Sequence, residues 1–221
     1  MALPFDTMAF IPYTPGPLRA ADYESWLRAV DNPFFNSRPG IADYSNWKVV
    51  DATHPLGFTH FDFLGLDSPA ALEPVWFDAP LDEFRREWVR LWGYASQGGA
   101  PAPVNQHAYR FDRRGAAVLA PSLHLVVMGT AGAMPPAAGC ENWALQNLLR
   151  KHWAIGRAPE GEHWQLPPGP FNPLGAGALQ IRACADAVHW RDGLPVLSGA
   201  DFAFCAEWLA SPTPPPGFSA D

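Results

Sequence analysis

Residues 57–67 read Gly-Phe-Thr-His-Phe-Asp-Phe-Leu-Gly-Leu-Asp, with aromatic and polar side chains alternating at the centre. Successive side chains of a β-strand point to opposite faces, so Phe61 and Phe63 share one face and His60 and Asp62 the other. The aromatic face is expected to pack beneath helices and the His/Asp face to line the interior of a barrel. A histidine and a carboxylate two residues apart on one strand face can couple. The carboxylate favours the imidazolium or fixes its tautomer, which makes the pair a candidate general acid–base unit. The competing reading is a buried polar pair bonded to nearby backbone.

Working outward, residues 42–51 (ADYSNWKVVD) form the preceding strand, joined through the THPLG turn in a hairpin-like pair. Tyr44, Asn46 and Lys48 lie on one face of it, Ser45, Trp47 and Val49 on the other. Before it, residues 20–35 predict a helix with Tyr23, Trp26, Leu27, Val30 and Phe34 on one side, ended or distorted at Asn32-Pro33. A strand over 8–13 ends in Tyr13. After the central stretch, residues 81–94 predict a helix whose apolar face holds Phe84, Trp88, Leu91 and Trp92, with Arg85, Arg86 and Arg90 turned away. A strand over 105–111, carrying His107 and Tyr109, completes a β-α-β-β-α-β order, the ferredoxin-like arrangement.

The second half predicts a strand over 122–130 with His124, a helix over 140–155 bearing Leu145, Leu148, Leu149 and His152, and strands over 178–188 and 200–210. Glu24-Ser25-Trp26 is echoed by Glu141-Asn142-Trp143, and Phe61-Asp62-Phe63-Leu64 by Phe202-Ala203-Phe204-Cys205. The expectation is therefore an α+β fold of tandem ferredoxin-like repeats forming a dimeric-α/β-barrel-type architecture. A complete unit spans 1–115, a degenerate β-α-β-β unit 116–212 and a flexible tail 213–221. The second unit is short of a final helix, so a second chain is expected to complete the assembly as a homodimer.

The net charge of −7 and the absence of any basic run speak against nucleic acid and anionic membrane surfaces. The start of the chain lacks a signal-peptide pattern, and no apolar run approaches a membrane span. Cys140, Cys184 and Cys205 are an odd number without CxxC spacing, which reads as reduced thiols in a cytoplasm. No GxGxxG, Walker, GxSxG, HExxH or EF-hand pattern occurs. His54, His60 and Asp62 lack a recognised metal-ligand spacing. No cofactor and no metal are expected.

Residues 23–49 (YESWLRAVDNPFFNSRPGIADYSNWKV) resemble the helix-to-second-strand segment of dimeric α/β-barrel proteins, a superfamily that includes EthD-like and REDY-like proteins, small monooxygenases and cofactor-independent lyases. The resemblance covers roughly 8–111 and, more loosely, 122–210. EthD-like members often place a histidine near the end of the first helix, where this chain reads Asp31-Asn32-Pro33. A fainter similarity is to small lyases that release formaldehyde from lignin-derived aromatic dimers. What these likenesses imply is an aromatic-lined pocket and a cofactor-independent lyase on a small phenolic substrate, cleaving a carbon–carbon bond in a retro-aldol-like step. His60, Asp62, Tyr44 and Lys48 are the candidate catalytic groups. His107, Tyr109, Tyr13, Asn46, Trp47 and His124 are the candidate substrate contacts. The alternatives are a cofactorless monooxygenase, an isomerase or cyclase, and a non-catalytic aromatic-binding protein.

Overall fold

The computed structural model describes residues 3–16, 20–93, 102–120, 122–155, 161–169, 171–191 and 200–215. Nine strands run in chain order: β1 Thr7–Tyr13, β2 Ile41–Ala52, β3 His60–Leu66, β4 His107–Arg114, β5 His124–Thr130, β6 Glu141–Arg150, β7 Gln165–Leu166, β8 Ala178–Cys184 and β9 Phe202–Ala210. Their spatial order is β4-β1-β3-β2-β9-β5-β8-β6-β7, and β4 also pairs with β6. That last pairing closes eight strands into one antiparallel barrel, with β7 as a short addition to β6. The expected α+β ferredoxin-like fold is therefore incorrect: the protein is mostly β, with a few short helices. The barrel also closes within a single chain, through β2–β9 and β4–β6, so the sheet needs no second chain to complete it.

The clearest departure lies at residues 140–155, expected to be helical. They form β6 and only a four-residue helix, α5 His152–Ile155. The Leu145/Leu148 spacing that suggested a helix comes from a β-bulge. Arg110 pairs with Asn147 and the next residue, Phe111, with Leu145, which leaves Gln146 as an extra residue. The bulge brings Leu145 and Leu148 into the same core despite their odd separation.

The inward faces fill the lumen with rings. Phe10, Phe61, Phe63, Tyr109, Phe111, Trp143 and Phe204 are all completely or almost completely buried there. The Phe61 centroid lies 5.0 Å from that of Phe10, 5.2 Å from Phe63 and 5.5 Å from Phe204. An eight-stranded barrel is just wide enough to be filled by its own side chains. Two glycines admit aromatics where a Cβ has no room: one built on Gly65 meets the Phe5 ring at 1.9 Å, and one on Gly129 meets Phe202 at 2.2 Å.

The orientation expected of β3 is thus reversed. Phe61 and Phe63 fill the barrel, while His60 and Asp62 face outward beneath the helices. The covering layer comprises α1 Ala20–Trp26, a π-helical turn Leu27–Asp31, α2 Asn32–Asn36, α3 Leu72–Trp76 and α4 Ala79–Trp92. In α4, Asp78 caps the start by accepting from the Leu81 amide at 3.3 Å, and Pro80 occupies the first turn. Among the described residues the outer face of the second half has no such layer. Val126, Met128, Ala203 and Cys205 pack there with Cys140 and Trp190. The tail expected over 213–221 lies largely outside the described residues.

Candidate active site

The π-helical turn explains how the outer wall acquires a buried acid. In a regular helix, the periodicity that starts at Tyr23 and Leu27 continues through Val30 and Phe34. The wider turn, in which the Asn32 amide donates back to the Leu27 carbonyl, inserts one extra residue before Pro33. Inward positions consequently move by one. Val30 is exposed, while Asp31, Asn32 and Phe35 are buried.

Asp31 meets Asp62 across Tyr44 and Asn46. The Tyr44 hydroxyl lies 2.7 Å from Asp62 Oδ2 and 3.1 Å from Asp31 Oδ2. Asn46 Nδ2 donates to Asp62 Oδ1 at 2.8 Å and to Asp31 Oδ2 at 3.3 Å. Asn32 Nδ2 donates to Asn46 Oδ1 at 2.7 Å, which turns the Asn46 amide so that its NH₂ faces the acids. Tyr13 donates to Asp62 Oδ1 at 3.1 Å.

A hydroxyl has one proton, so both Tyr44 contacts are hydrogen bonds only when one carboxyl is neutral. Tyr44 then donates to the ionised acid and accepts from the protonated one. Burial pushes both acids above the usual carboxylate range, Asp62 to about 7 and Asp31 well up, the latter also opposed by the charge of Asp62. The consistent assignment is a neutral Asp31 donating to Tyr44, which donates to Asp62. In this arrangement the pair holds one proton.

Both acids line a partly open cavity of about 110 Å³ between the barrel wall and the helices. Its walls also hold Tyr13, Tyr44, Phe35, Phe84, Trp88 and Trp153, together with Arg85, Lys151 and Asn105. Lys151 follows β6 and donates to the Pro12 carbonyl at 2.7 Å. The β1–β4 pairing covers only Thr7–Phe10, so a proline is tolerated at position 12, where no ladder bond from its nitrogen is required. Burial lowers Lys151 to about 7, against the pull of Asp62. Arg85 is only 4% exposed although it was expected to turn away from the apolar face of its helix. It lies in line with the buried Leu81 and Trp92 of α4. Two other cavities, of about 180 and 520 Å³, have one charged side chain each on their described walls, Asp43 and Arg114.

Of the residues expected to be catalytic, Asp62 and Tyr44 meet here, as do Asn46 and Tyr13 among the expected contacts. His60 is adjacent but differently engaged. Its Nδ1 lies 2.9 Å from Thr59 Oγ1, and its ring stacks on Tyr13 at 5.7 Å. Burial lowers it to about 4, so it is neutral, and it makes no hydrogen bond to Asp62. Lys48 is an outlying residue, paired with Glu24 at 2.7 Å and 42% exposed.

Trp47 and Tyr109 belong to the lumen core, Trp47 donating to Ser45 Oγ at 3.1 Å. His107 is half-buried against Phe171. His124 sits on β5, paired with Cys184 of β8 and Glu207 of β9, so that β9 lies between it and β2. Asp31, Arg85, Lys151 and Asn105 were not among the expected site residues. The one local signal for any of them is the Asp-Asn-Pro sequence inside a helical pattern.

The fold and site define a closed antiparallel barrel with a proton-sharing carboxylate pair under a helical cover. No protein-family model matches the chain, and no curated protein matches it.

Proposed function

We propose that this pocket belongs to an acid–base enzyme acting on a small one-ring aromatic compound, with retro-aldol-like carbon–carbon cleavage as the reaction. The observation that carries this is the Asp31–Tyr44–Asp62 arrangement at the cavity wall. It offers an ionised base and a neutral acid to the same bound molecule. Asp62 takes the proton of a hydroxymethyl group. The carbon–carbon bond breaks, formaldehyde leaves, and the electron pair stays on the ring-bearing carbon. Asp31 returns a proton to that carbon. Transfer through the Tyr44 hydroxyl then restores the starting distribution, so R–CH₂OH becomes R–H and formaldehyde.

Cavity size supports one ring over the two-ring substrates of the lyases that the sequence resembles. A cavity of about 150 Å³ holds benzene; the space here is about 110 Å³, too small to enclose two rings, and a single ring would extend into its open mouth. Phe35, Phe84, Trp88 and Trp153 supply flat apolar walls that orient a ring and exclude water. Among the described residues no helix is long and apolar enough to cross a membrane. The three cysteines are unpaired, which fits a reducing cytoplasm.

The test is incubation of the protein, without added cofactor, with hydroxymethyl-bearing one-ring aromatics, following formaldehyde and the remaining product by mass spectrometry. Turnover is expected in the wild type and its loss in Asp62→Asn and Asp31→Asn. Wild-type rates in both folded variants overturn the proposal, and a mass-neutral product reassigns the pair to an isomerase.

A further inference from the structure

Arg85 has no role in the proton chemistry, yet the structure holds it in place with care. Its Nη1 donates to the Trp76 carbonyl at 2.9 Å, and its guanidinium carbon lies 4.5 Å from the Trp153 ring centre, 5.2 Å from Trp76 and 5.6 Å from Phe35. That cage fixes the guanidinium plane. The Nη2 atom is buried and has no hydrogen-bond partner among the described residues. The carboxylates Asp78 and Asp82 at the start of its helix are engaged elsewhere, Asp78 with Arg38 and Asp82 with Arg86 and His152. Arg85 lines the cavity, and a buried, rigid guanidinium nitrogen left unsatisfied is costly unless something completes it.

The charges of the cavity point the same way. Arg85 and Lys151 contribute +2 when both are protonated, and the acid pair contributes −1 while it stores its proton. The sum is +1. Neither cation forms an ion pair among the described residues. A single negative charge balances the site, whereas a dianion overfills it.

We propose that the ligand of this pocket is an aromatic monocarboxylate, its carboxylate accepting from Arg85 Nη2 with Lys151 as the second cation and its ring against the Trp and Phe walls. This rests on the reading that the cavity is the substrate site, and it adds the class of substrate. Carboxylate recognition by a preorganised guanidinium is strong and directional.

Calorimetry with benzoate, its neutral isostere benzamide, and acetate tests this on the wild-type protein. Benzoate is expected to bind at least tenfold more tightly than either. Folded Arg85→Lys and Lys151→Met variants, checked by thermal melting, should each lose roughly thirtyfold in benzoate affinity, the loss typical of truncating one partner of a buried charge pair. Their benzamide affinity should fall by much less than their benzoate affinity. Equal binding of benzoate and benzamide, absence of benzoate binding, acetate binding as tight as benzoate, or wild-type benzoate affinity in both variants overturns the inference. Turnover of neutral aromatics without preference for anions also overturns it and leaves the acid–base proposal standing. Tight benzoate binding with no turnover of any aromatic acid does the reverse.

Discussion

The inner and outer faces of β3 belong to the same seven-residue strand and are governed by opposite physics. Phe61 and Phe63 pack among the rings of Phe10, Trp47 and one another, and burying such rings stabilises the lumen. His60 and Asp62, one residue away, sit among buried tyrosines, asparagines, a second acid and two cations. Removing these polar groups from water costs free energy that hydrogen bonds only partly offset. The lumen is where stability is accumulated. The helix-covered wall is where some of it is given up for a shaped, charged cavity, the trade expected of a functional site.

Mutations separate the two faces most sharply. Asp62→Asn is nearly isosteric and removes the base. Turnover should fall by about 10²–10⁴, the usual contribution of a positioned acid–base group, while the urea midpoint stays near or above that of the wild type. If activity and midpoint fall together, the division between the faces is lost. Phe61→Ala should do the opposite, costing about 3–5 kcal/mol of unfolding free energy with turnover per folded molecule retained. Parallel urea melts and active-fraction assays read both quantities.

The outer face should also carry its own pH signature. Asp62 has a folded-state value raised from 3.8 to about 7, so between those limits the folded protein holds more protons than the unfolded chain. Its contribution to stability is present at low pH and is lost as pH rises through that window. His60 has a folded-state value lowered from 6.5 to about 4, so its contribution has the reverse sign and grows with pH between 4 and 6.5. The two oppose each other in the wild type. Asp62→Asn should therefore make urea midpoints climb more steeply from pH 4.5 to 6.5, and His60→Gln should make them decline. Phe61→Ala should lower the whole curve without changing its shape. The smallest effect is expected at Lys48, which lies on the outer face but outside the cavity. Lys48→Ala should cost at most about 1 kcal/mol, as for other exposed ion pairs, and leave turnover within twofold.

How much of the site was legible in the sequence follows from the range of each signal. Strand alternation groups Tyr44, Asn46 and Asp62 because it is local and neighbouring strands bring equivalent faces together, and Tyr13 joins them from the end of its strand. Asp31 was hidden because one extra residue in a helical turn shifts the buried face, and nothing short of the packed structure announces that turn. Arg85 was hidden because helical periodicity places an arginine by its type, whereas three aromatic rings from different segments make its burial tolerable. Lys151 was lost with the reading of 140–155 as a helix, since a bulged strand imitates three-residue spacing.

The sequence by itself determined most of the strands, a helix expected over 81–94 and found at Ala79–Trp92, and the partition of β3 into an aromatic and a polar face. These depend on the identity and spacing of neighbouring residues. Which face turns inward was decided only by tertiary structure, and the expectation had it backwards. Alternation states that two faces differ, and it carries the same information whichever side is the lumen. Barrel closure breaks that symmetry. Once β4 pairs with β6 and β2 with β9, the enclosed space is narrow enough that rings fill it best, and the carboxylates are left to the wall that the helices cover.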